Sequence, residues 1–135
     1  MKINHKIILY FIGFLLLFNG GFMFISSMLS YYYKDGITMD LIYSGLIVTL
    51  IGGLLLFLNK NHDKQLNKRE GYLVVVLGWL AMIFTGTLPY ILTGTIDGFS
   101  NIVFETTSGF TTTGATIIND IEILPEGILF WRSIT

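Results

Sequence analysis

The chain has 135 residues, of which 53% are hydrophobic and only 13% are charged, and its formal net charge is -1. Soluble domains carry about 25% charged residues, so this composition indicates a membrane protein. The small net charge gives no sign of nucleic-acid binding, and the absence of Cys excludes disulfides and thiolate metal sites.

The first predicted transmembrane helix covers residues 7–30, which contain no charge and follow a basic head at residues 1–6. Its 24 residues would reach about 36 Å as a helix, enough to cross a hydrocarbon core of about 30 Å. A basic head before an apolar run also resembles a signal peptide. This run is longer than the usual apolar region of such peptides, and no clear cleavage motif follows, so we expect a retained span. Asn19-Gly20-Gly21 in its middle predicts a close helix contact or a bend.

The second predicted span covers residues 41–58, after Asp35-Gly36 makes a turn. Residues 59–70 form a polar loop with four basic side chains, and the basic head adds two more. Lys34 is the single basic residue expected on the opposite side before the end of the chain. Because basic residues accumulate on the cytoplasmic side, we expect the N-terminus and this loop in the cytoplasm.

The third predicted span covers residues 71–90 and ends at Pro89 near the outer surface. Residues 92–95 are then predicted to form a loop. Asp97 is predicted to be the N-cap or a first-turn acid of a short helix at residues 99–108. This helix is too short to cross a bilayer. We expect it to enter from the outer side with its C-terminal, negative end toward the membrane centre, where that end favours a cation.

The threonine-rich segment, residues 104–116, differs from every other part of the chain. It carries six Thr, one Ser, two Gly and a single charge. Consecutive Thr residues resist helix because χ1 is restricted and their hydroxyl groups compete for backbone hydrogen bonds. An extended Thr-Thr-Thr-Gly stretch can aim successive carbonyl oxygens one way, and a ring of such stretches can replace the water shell of a cation. The pattern predicts a re-entrant loop whose residues 110–116 return outward. A threonine-rich loop outside the membrane is the open alternative.

The last part of the chain holds an acidic stretch and the start of a helix. Residues 117–126 contain three acids and no base. Their negative charge would concentrate cations at a pore mouth, or the stretch could simply be a solvated loop. Residues 127–135 begin a helix after Pro125, and a helix of this length cannot cross a bilayer.

Arg132 on this last helix requires a partner if it lies at membrane depth. Glu105 is the only acid in the apolar part of the preceding loop. We therefore hypothesise that the two side chains pair behind the threonine-rich segment and brace it. In the alternative arrangement, Arg132 extends outward to the lipid headgroups.

These residues resemble a known family pattern. Leu88-Pro89-Tyr90, the threonine-rich segment, Pro125 and Leu129-Phe130-Trp131-Arg132 resemble the first pore repeat of the Trk/Ktr/HKT potassium transporter family. The resemblance implies an all-α integral membrane fold. Residues 1–70 would hold two leading transmembrane helices with a cytoplasmic loop, as in the TrkH branch. Residues 71–135 would hold an incomplete first pore repeat: a transmembrane helix, a re-entrant pore helix with filter loop, and the start of a second helix.

The resemblance also implies a site and its partners. Potassium would be bound in the filter by Thr112, Thr113, Gly114 and Ala115, and first by the carbonyl groups of Thr112 and Thr113. Glu105, Arg132, Thr111 and Thr116 would support the filter. The implied function is potassium uptake across the cytoplasmic (inner) membrane, with K⁺ as the transported ion and no organic cofactor. The implied partners are the lipid bilayer, the remaining pore repeats of the same protein, a second copy in a homodimer and a cytoplasmic nucleotide-binding regulatory subunit (TrkA-like).

Other functions are compatible with the same residues. One filter strand cannot encircle an ion, so we expect this chain to be a fragment of a longer transporter. A tetramer of the short chain could form a pore, but the chain lacks most of its second helix. A non-transporting membrane subunit for assembly or anchoring would tolerate substitutions in the threonine-rich segment. An enzyme is not expected, because no acid–base constellation lies at a common depth.

Overall fold

The structure is a computed structural model that describes residues 4–61 and 67–135, and these ranges form six α-helices and no strand. The helices are α1 (His5–Tyr33), α2 (Thr38–Asn59), α3 (Lys68–Gly86), α4 (Leu88–Thr93), α5 (Phe99–Phe110) and α6 (Glu126–Ile134). Three stretches are long and apolar enough to span a membrane, namely α1, α2, and α3 together with α4. The all-α membrane fold is therefore confirmed. Part of the predicted cytoplasmic loop, residues 62–66, and the first three residues of the basic head lie outside the described residues.

α1 and α2 pack closely because glycines on the two helices face each other. A Cβ atom at Gly13 would lie 2.8 Å from the carbonyl oxygen of Gly52, and a Cβ atom at Gly52 would lie 2.8 Å from that of Gly13. At Gly20, a Cβ atom would lie 2.5 Å from Cγ2 of Thr49. Small residues allow such close backbone approach between helices in a membrane. The predicted close contact at Asn19-Gly20-Gly21 is confirmed, and α1 runs through this motif as one continuous helix.

α3 is joined to α1 by buried polar groups at two depths. Asn19 Nδ2 of α1 donates a hydrogen bond to Thr85 Oγ1 of α3 at 2.9 Å. At the other end of α3, the carboxylate of Glu70 accepts hydrogen bonds from the backbone N–H groups of Asn4 at 2.8 Å and Asn67 at 2.9 Å. A buried polar group is costly unless it has a hydrogen-bond partner, so these contacts fix the position of α3 along α1.

The third span ends differently from the prediction. α3 ends at Gly86, and Pro89 does not stop the helix but lies in the first turn of α4, which continues to Thr93. Proline is tolerated in a first turn because the N–H group that it lacks would have no partner within the helix. The predicted loop at residues 92–95 consequently begins only at Gly94, which has a φ of +61°.

α5 begins at Phe99 as predicted, but its N-cap and its end differ from the prediction. Its N-cap is Gly98, with a φ of +85°, and its first turn contains no acid, so the proposed role of Asp97 as cap or first-turn acid is wrong. The backbone carbonyl of Gly98 accepts the first hydrogen bonds of the helix, while Asn101 Nδ2 donates to the carbonyl of Asp97 at 2.8 Å. α5 continues two residues beyond the predicted end, to Phe110.

The last turn of α5 lies beside the middle of the third span. Trp79 and Met82 of α3 and Phe110 of α5 line one cleft of about 210 Å³. α6 begins at the opposite side of the molecule from the start of α3, next to the turn between α1 and α2, where Gly127 contacts Ser30 and Leu41. α5 and α6 converge at their C-terminal ends, since a Cβ atom at Gly109 would lie 3.1 Å from Thr135.

Candidate functional site

The buried carboxylate of Glu105 is the centre of the candidate site. Glu105 lies on α5 and is 4% exposed. Its Oε1 accepts a hydrogen bond from Arg132 Nε at 2.6 Å, and the hydroxyl group of Thr116 donates to both carboxylate oxygens at 3.0 and 3.1 Å. The backbone N–H of Ile117 donates to Oε2 at 3.1 Å. One carboxylate therefore joins α5, α6 and the end of the threonine-rich segment through charge-assisted hydrogen bonds, which are stronger than neutral ones.

The hypothesised pair of Glu105 and Arg132 is present in the structure. The carboxylate side chain is 2% exposed and the guanidinium side chain is 25% exposed. Arg132 therefore points to Glu105. The structure does not have the alternative arrangement, in which Arg132 extends outward to the lipid headgroups. A buried carboxylate of this kind requires compensation by a cation or by several donors, and Glu105 has both.

Ser108 is a site residue that the sequence analysis did not single out. Its hydroxyl group donates to the carbonyl oxygen of Ala115 at 2.6 Å, and its own carbonyl accepts from the N–H of Thr113 at 3.0 Å. Ser108 is 6% exposed. One sequence signal was available, because positions three apart on a helix share a face and Ser108 follows Glu105 at that spacing.

The prediction assumed an extended backbone for residues 110–116, but the backbone after α5 is not regularly extended. Thr112 has a φ of +54° and Gly114 has a φ of +75°. A positive φ is rare for a β-branched residue, and here it accompanies a reversal of the chain at the end of α5. The N–H of Thr112 donates to the carbonyl of Gly109 at 2.9 Å, and the hydroxyl groups of Thr111 and Thr113 lie 2.7 Å apart.

The predicted filter residues lie together on one exposed loop. Residues 111–116 are all exposed. Thr112, Gly114 and Ala115 border an open cleft of about 370 Å³ between this loop, α5 and the end of α6. Thr113 lies on the same loop but does not line the cleft. A single loop of this kind presents its carbonyl groups from one side only, so a complete cation shell would need further ligands.

α3, α5 and α6 hold one another in place behind this loop. The indole Nε1 of Trp131, which is fully buried, donates to the carbonyl oxygen of Gly86 at 3.3 Å. A Cβ atom at Gly86 would lie 2.7 Å from the ring of Phe110 and 3.0 Å from the methyl group of Thr106. The absence of a side chain at Gly86 therefore lets α5 pack directly on α3.

The acids of the predicted outer stretch lie on the surface. Asp120, Glu122 and Glu126 are all exposed. Oδ1 of Asp120 accepts from the backbone N–H of Glu122 at 3.2 Å, as in a local turn. A cation-concentrating mouth and a solvated loop are both predictions that exposed acids satisfy.

Comparison with known proteins finds a matching family model, related sequences and a related structure. A family model described as TrkH, a cation transport protein, matches residues 37–135. The Trk system potassium uptake protein TrkH of Halomonas elongata is 35% identical over 128 residues, covering 94% of this chain and 27% of that protein. The protein of the same name from Escherichia coli K12 is 34% identical over 122 residues, covering 90% of this chain and 25% of that protein. The crystal structure of the potassium transporter TrkH from Vibrio parahaemolyticus superposes with a TM-score of 0.88 at 31% identity, covering 98% of this chain and 28% of that one. The chain thus spans 25–28% of the length of these relatives.

Proposed function

Because the chain belongs to the TrkH family of cation transport proteins, we propose that it serves potassium uptake as the first filter-bearing repeat of a TrkH-type transporter. The family is one of transporters and not of enzymes, and the chain is a multi-pass membrane protein. The two relatives described above are named potassium uptake proteins, and each is roughly four times as long as the stretch matched here. Transport is therefore an activity of the complete transporter, with K⁺ as the transported ion and no organic cofactor.

The observation that carries this proposal is the way in which Glu105 holds the threonine-rich segment. The loop is attached at its end through Thr116 and, one residue earlier, through the bond from Ser108 to Ala115. Residues 112–115 remain exposed, and Thr112, Gly114 and Ala115 line the cleft. Such an arrangement keeps backbone carbonyl groups at fixed positions, and the carbonyl oxygen of Ala115, which accepts from Ser108, keeps a second lone pair for an ion. Carbonyl dipoles at fixed positions can replace the hydration shell of a potassium ion.

In the proposed site, potassium contacts the carbonyl groups of Thr112 and Thr113 first, then those of Gly114 and Ala115. The supporting residues are Glu105, Arg132, Thr111 and Thr116. Thr116 supports through its bond to Glu105, and Thr111 supports through its hydroxyl contact with Thr113. Each further repeat of the complete transporter would add an equivalent loop to close the ring.

We place the threonine-rich segment at membrane depth, as a re-entrant loop. α5 has 12 residues, which reach about 18 Å, too short to cross the hydrocarbon core. Its last residue, Phe110, lies beside Trp79 and Met82 in the middle of the third span, which supports this depth. Irregular backbone is tolerated there only when it is buried in protein or lines a cavity. The carboxyl end of α5 would then direct its negative dipole toward the bound cation.

The division of the chain, its location and its partners follow from the same proposal. Residues 1–70 would form the leading hairpin and residues 71–135 the incomplete pore repeat, in the cytoplasmic membrane with the N-terminus in the cytoplasm. Only 17% of the apolar stretch of α3 and α4 is buried, which leaves a large apolar face for lipid and for the remaining repeats. A second copy in a dimer and a TrkA-like nucleotide-binding regulatory subunit complete the proposed assembly.

Growth of an uptake-deficient bacterial strain at limiting potassium tests the proposal. We expect the complete transporter that contains these 135 residues to restore growth, and the 135-residue chain alone to fail. Growth with the short chain would mean that it assembles its own pore, which contradicts the proposal that the remaining repeats are needed to close the ring. Failure of the complete transporter, at normal levels in the membrane, would overturn the potassium-uptake proposal in favour of a non-transporting assembly or anchoring subunit.

Gly114→Ser tests the filter assignment within the complete transporter. A side chain at a φ of +75° forces a left-handed conformation that costs about 1–2 kcal/mol, so we expect the loop to rearrange and the preference for K⁺ over Na⁺ to fall. Gly94→Ser is the matched control, because Gly94 also has a positive φ and open space around its Cβ position but lies outside the site. Competition of Na⁺ with K⁺ (or Rb⁺) uptake measures the preference. An unchanged preference in Gly114→Ser would refute the assignment.

A further inference from the structure

Asp35, in the turn between α1 and α2, contacts a helix that lies far away in the sequence. Its Oδ2 accepts a hydrogen bond from the backbone N–H of Gly127, 92 positions later, at 2.9 Å. Its Oδ1 accepts from the hydroxyl group of Ser30, at the end of α1, and from the N–H of Ile37, before the start of α2, at 3.3 Å. One carboxylate therefore connects the leading hairpin to the first turn of α6.

The first turn of α6 has no cap of its own. Its N-cap residue is Pro125, which makes no side-chain capping bond, and Glu126 in the first turn is exposed. The first N–H groups of a helix have no partner within the helix, and a negative charge near them is favourable. Asp35 supplies an acceptor for the N–H of Gly127 and a negative charge in addition to that of Glu126, so the α1–α2 turn provides the side-chain cap that the local sequence lacks.

The start of α6 also packs closely against α1 and α2. Gly127 is buried, and a Cβ atom there would lie 2.7 Å from Leu41 Cδ1 and 2.8 Å from Ser30 Cβ. The helix therefore rests directly on the leading hairpin at the point where Asp35 holds it. A displacement of the α1–α2 turn would move the first turn of α6 with it.

α6 connects the contact at Asp35 to the candidate filter. Arg132 lies five residues after Gly127, about 7.5 Å further along the helix axis. It binds Glu105, which in turn holds the hydroxyl group of Thr116. The contacts thus form one continuous path from Asp35 to the end of the threonine-rich segment.

We propose that Asp35 is a positioning residue for ion selectivity: it sets the position of α6 and, through the pair of Arg132 and Glu105, the geometry of the threonine-rich segment. The leading hairpin then contributes to selectivity as well as to anchoring in the membrane. This inference rests on the proposed potassium-uptake function.

The test measures competition between Na⁺ and K⁺ uptake by the complete transporter, normalised to the amount of protein in the membrane. We expect Asp35→Ala to lower the preference for K⁺ by about fivefold, which is the lower end of typical couplings between distant sites. Asp35→Asn retains an oxygen for the N–H of Gly127 but removes the charge, so the preference for K⁺ should fall less than in Asp35→Ala. Asp40→Ala is the matched control, since Asp40 lies at the same end of the hairpin in the first turn of α2. Its preference should equal that of the unmodified protein.

The outcomes separate this inference from the function on which it rests. If the unmodified transporter shows no preference for K⁺, the proposed function itself fails. If Gly114→Ser lowers the preference and Asp35→Ala does not, the function stands and the inference is overturned. A lower protein level with an unchanged preference would also overturn it, because Asp35 would then serve folding alone. If Asp35→Ala does not reach the membrane, an unchanged preference in Asp35→Asn decides against the inference in the same way.

Discussion

The ion pair of Glu105 and Arg132 can be tested by a double-mutant cycle. Each residue is replaced by Ala, singly and together, in the complete transporter. The cycle isolates the interaction between the two side chains, because contacts that each makes with other groups cancel in the difference. Glu105 makes such contacts with Thr116 and Ile117, so a single substitution would overstate the value of the pair.

The structure sets the expected magnitudes. Removing one partner of a buried ion pair costs about 3–5 kcal/mol, and the value for Arg132→Ala should lie near 3 because Glu105 keeps its other donors. Glu105→Ala should cost about 4 kcal/mol, since it also leaves the N–H of Ile117 without its acceptor. The guanidinium side chain is 25% exposed, which places the coupling below that of a fully buried pair. We expect a coupling of about 2 kcal/mol, so that the double variant costs about 5 kcal/mol and not about 7.

Equilibrium unfolding of the detergent-solubilised transporter measures the four free energies of unfolding, and Na⁺ competition with K⁺ uptake provides a second readout. Glu122→Ala is the control, because Glu122 is an exposed acid of the nearby residues 117–126 and should change neither quantity. Charge reversal of the pair, Glu105→Arg with Arg132→Glu, should recover part of what each single reversal loses. Additive costs within about 0.5 kcal/mol, together with no recovery on reversal, would refute the bracing role of the pair.

Two further predictions concern Ser108 and the glycine contacts. Ser108→Ala leaves the carbonyl of Ala115 without its donor, so we expect a loss of about 1 kcal/mol in unfolding free energy and a lower K⁺ preference. Ser108→Thr keeps the hydroxyl group and should retain most of the stability and most of the K⁺ preference. Equal values for the two variants would contradict this prediction. Gly13→Ala places a methyl group 2.8 Å from the carbonyl of Gly52 and should destabilise the α1–α2 hairpin by about 1–3 kcal/mol. Gly21→Ala, with nothing within 4 Å of its Cβ position, should be neutral or stabilising in the same equilibrium unfolding assay, and equal destabilisation of both variants would show that the close contact is not the cause.

Much of the architecture was predictable because it depends on composition and local pattern. Long uncharged runs identify membrane spans without knowledge of their neighbours, since a helix satisfies its own backbone in lipid. The short helix α5 and the threonine-rich segment also stand out locally, because Thr-rich sequence is unlike that of a spanning helix. The pair of Glu105 and Arg132 was predictable for a related reason. A charge in an apolar region requires a partner, and the chain offers only one acid in that region.

Helix ends were less predictable, because more than one local solution was available. Pro89 can end a helix or begin one, and the structure uses it to begin α4. Asp97 has the side chain of an N-cap residue, but Gly98 takes this position because its positive φ suits the entry into α5. The choice depends on where α4 and α5 must lie to pack against α2 and α3, which local propensity does not encode.

The sequence by itself therefore determined the class of protein, the spans and the segment that forms the candidate filter. Tertiary structure decided which polar groups join the helices to one another. The hydrogen bonds from Asn19 to Thr85, from Asn4 to Glu70 and from Gly127 to Asp35 join residues that are 66 to 92 positions apart. Each polar side chain had many possible partners in the sequence. Only the packing of the helices brings one donor and one acceptor within hydrogen-bond distance, and in an apolar surrounding that one contact is strongly favoured over having none.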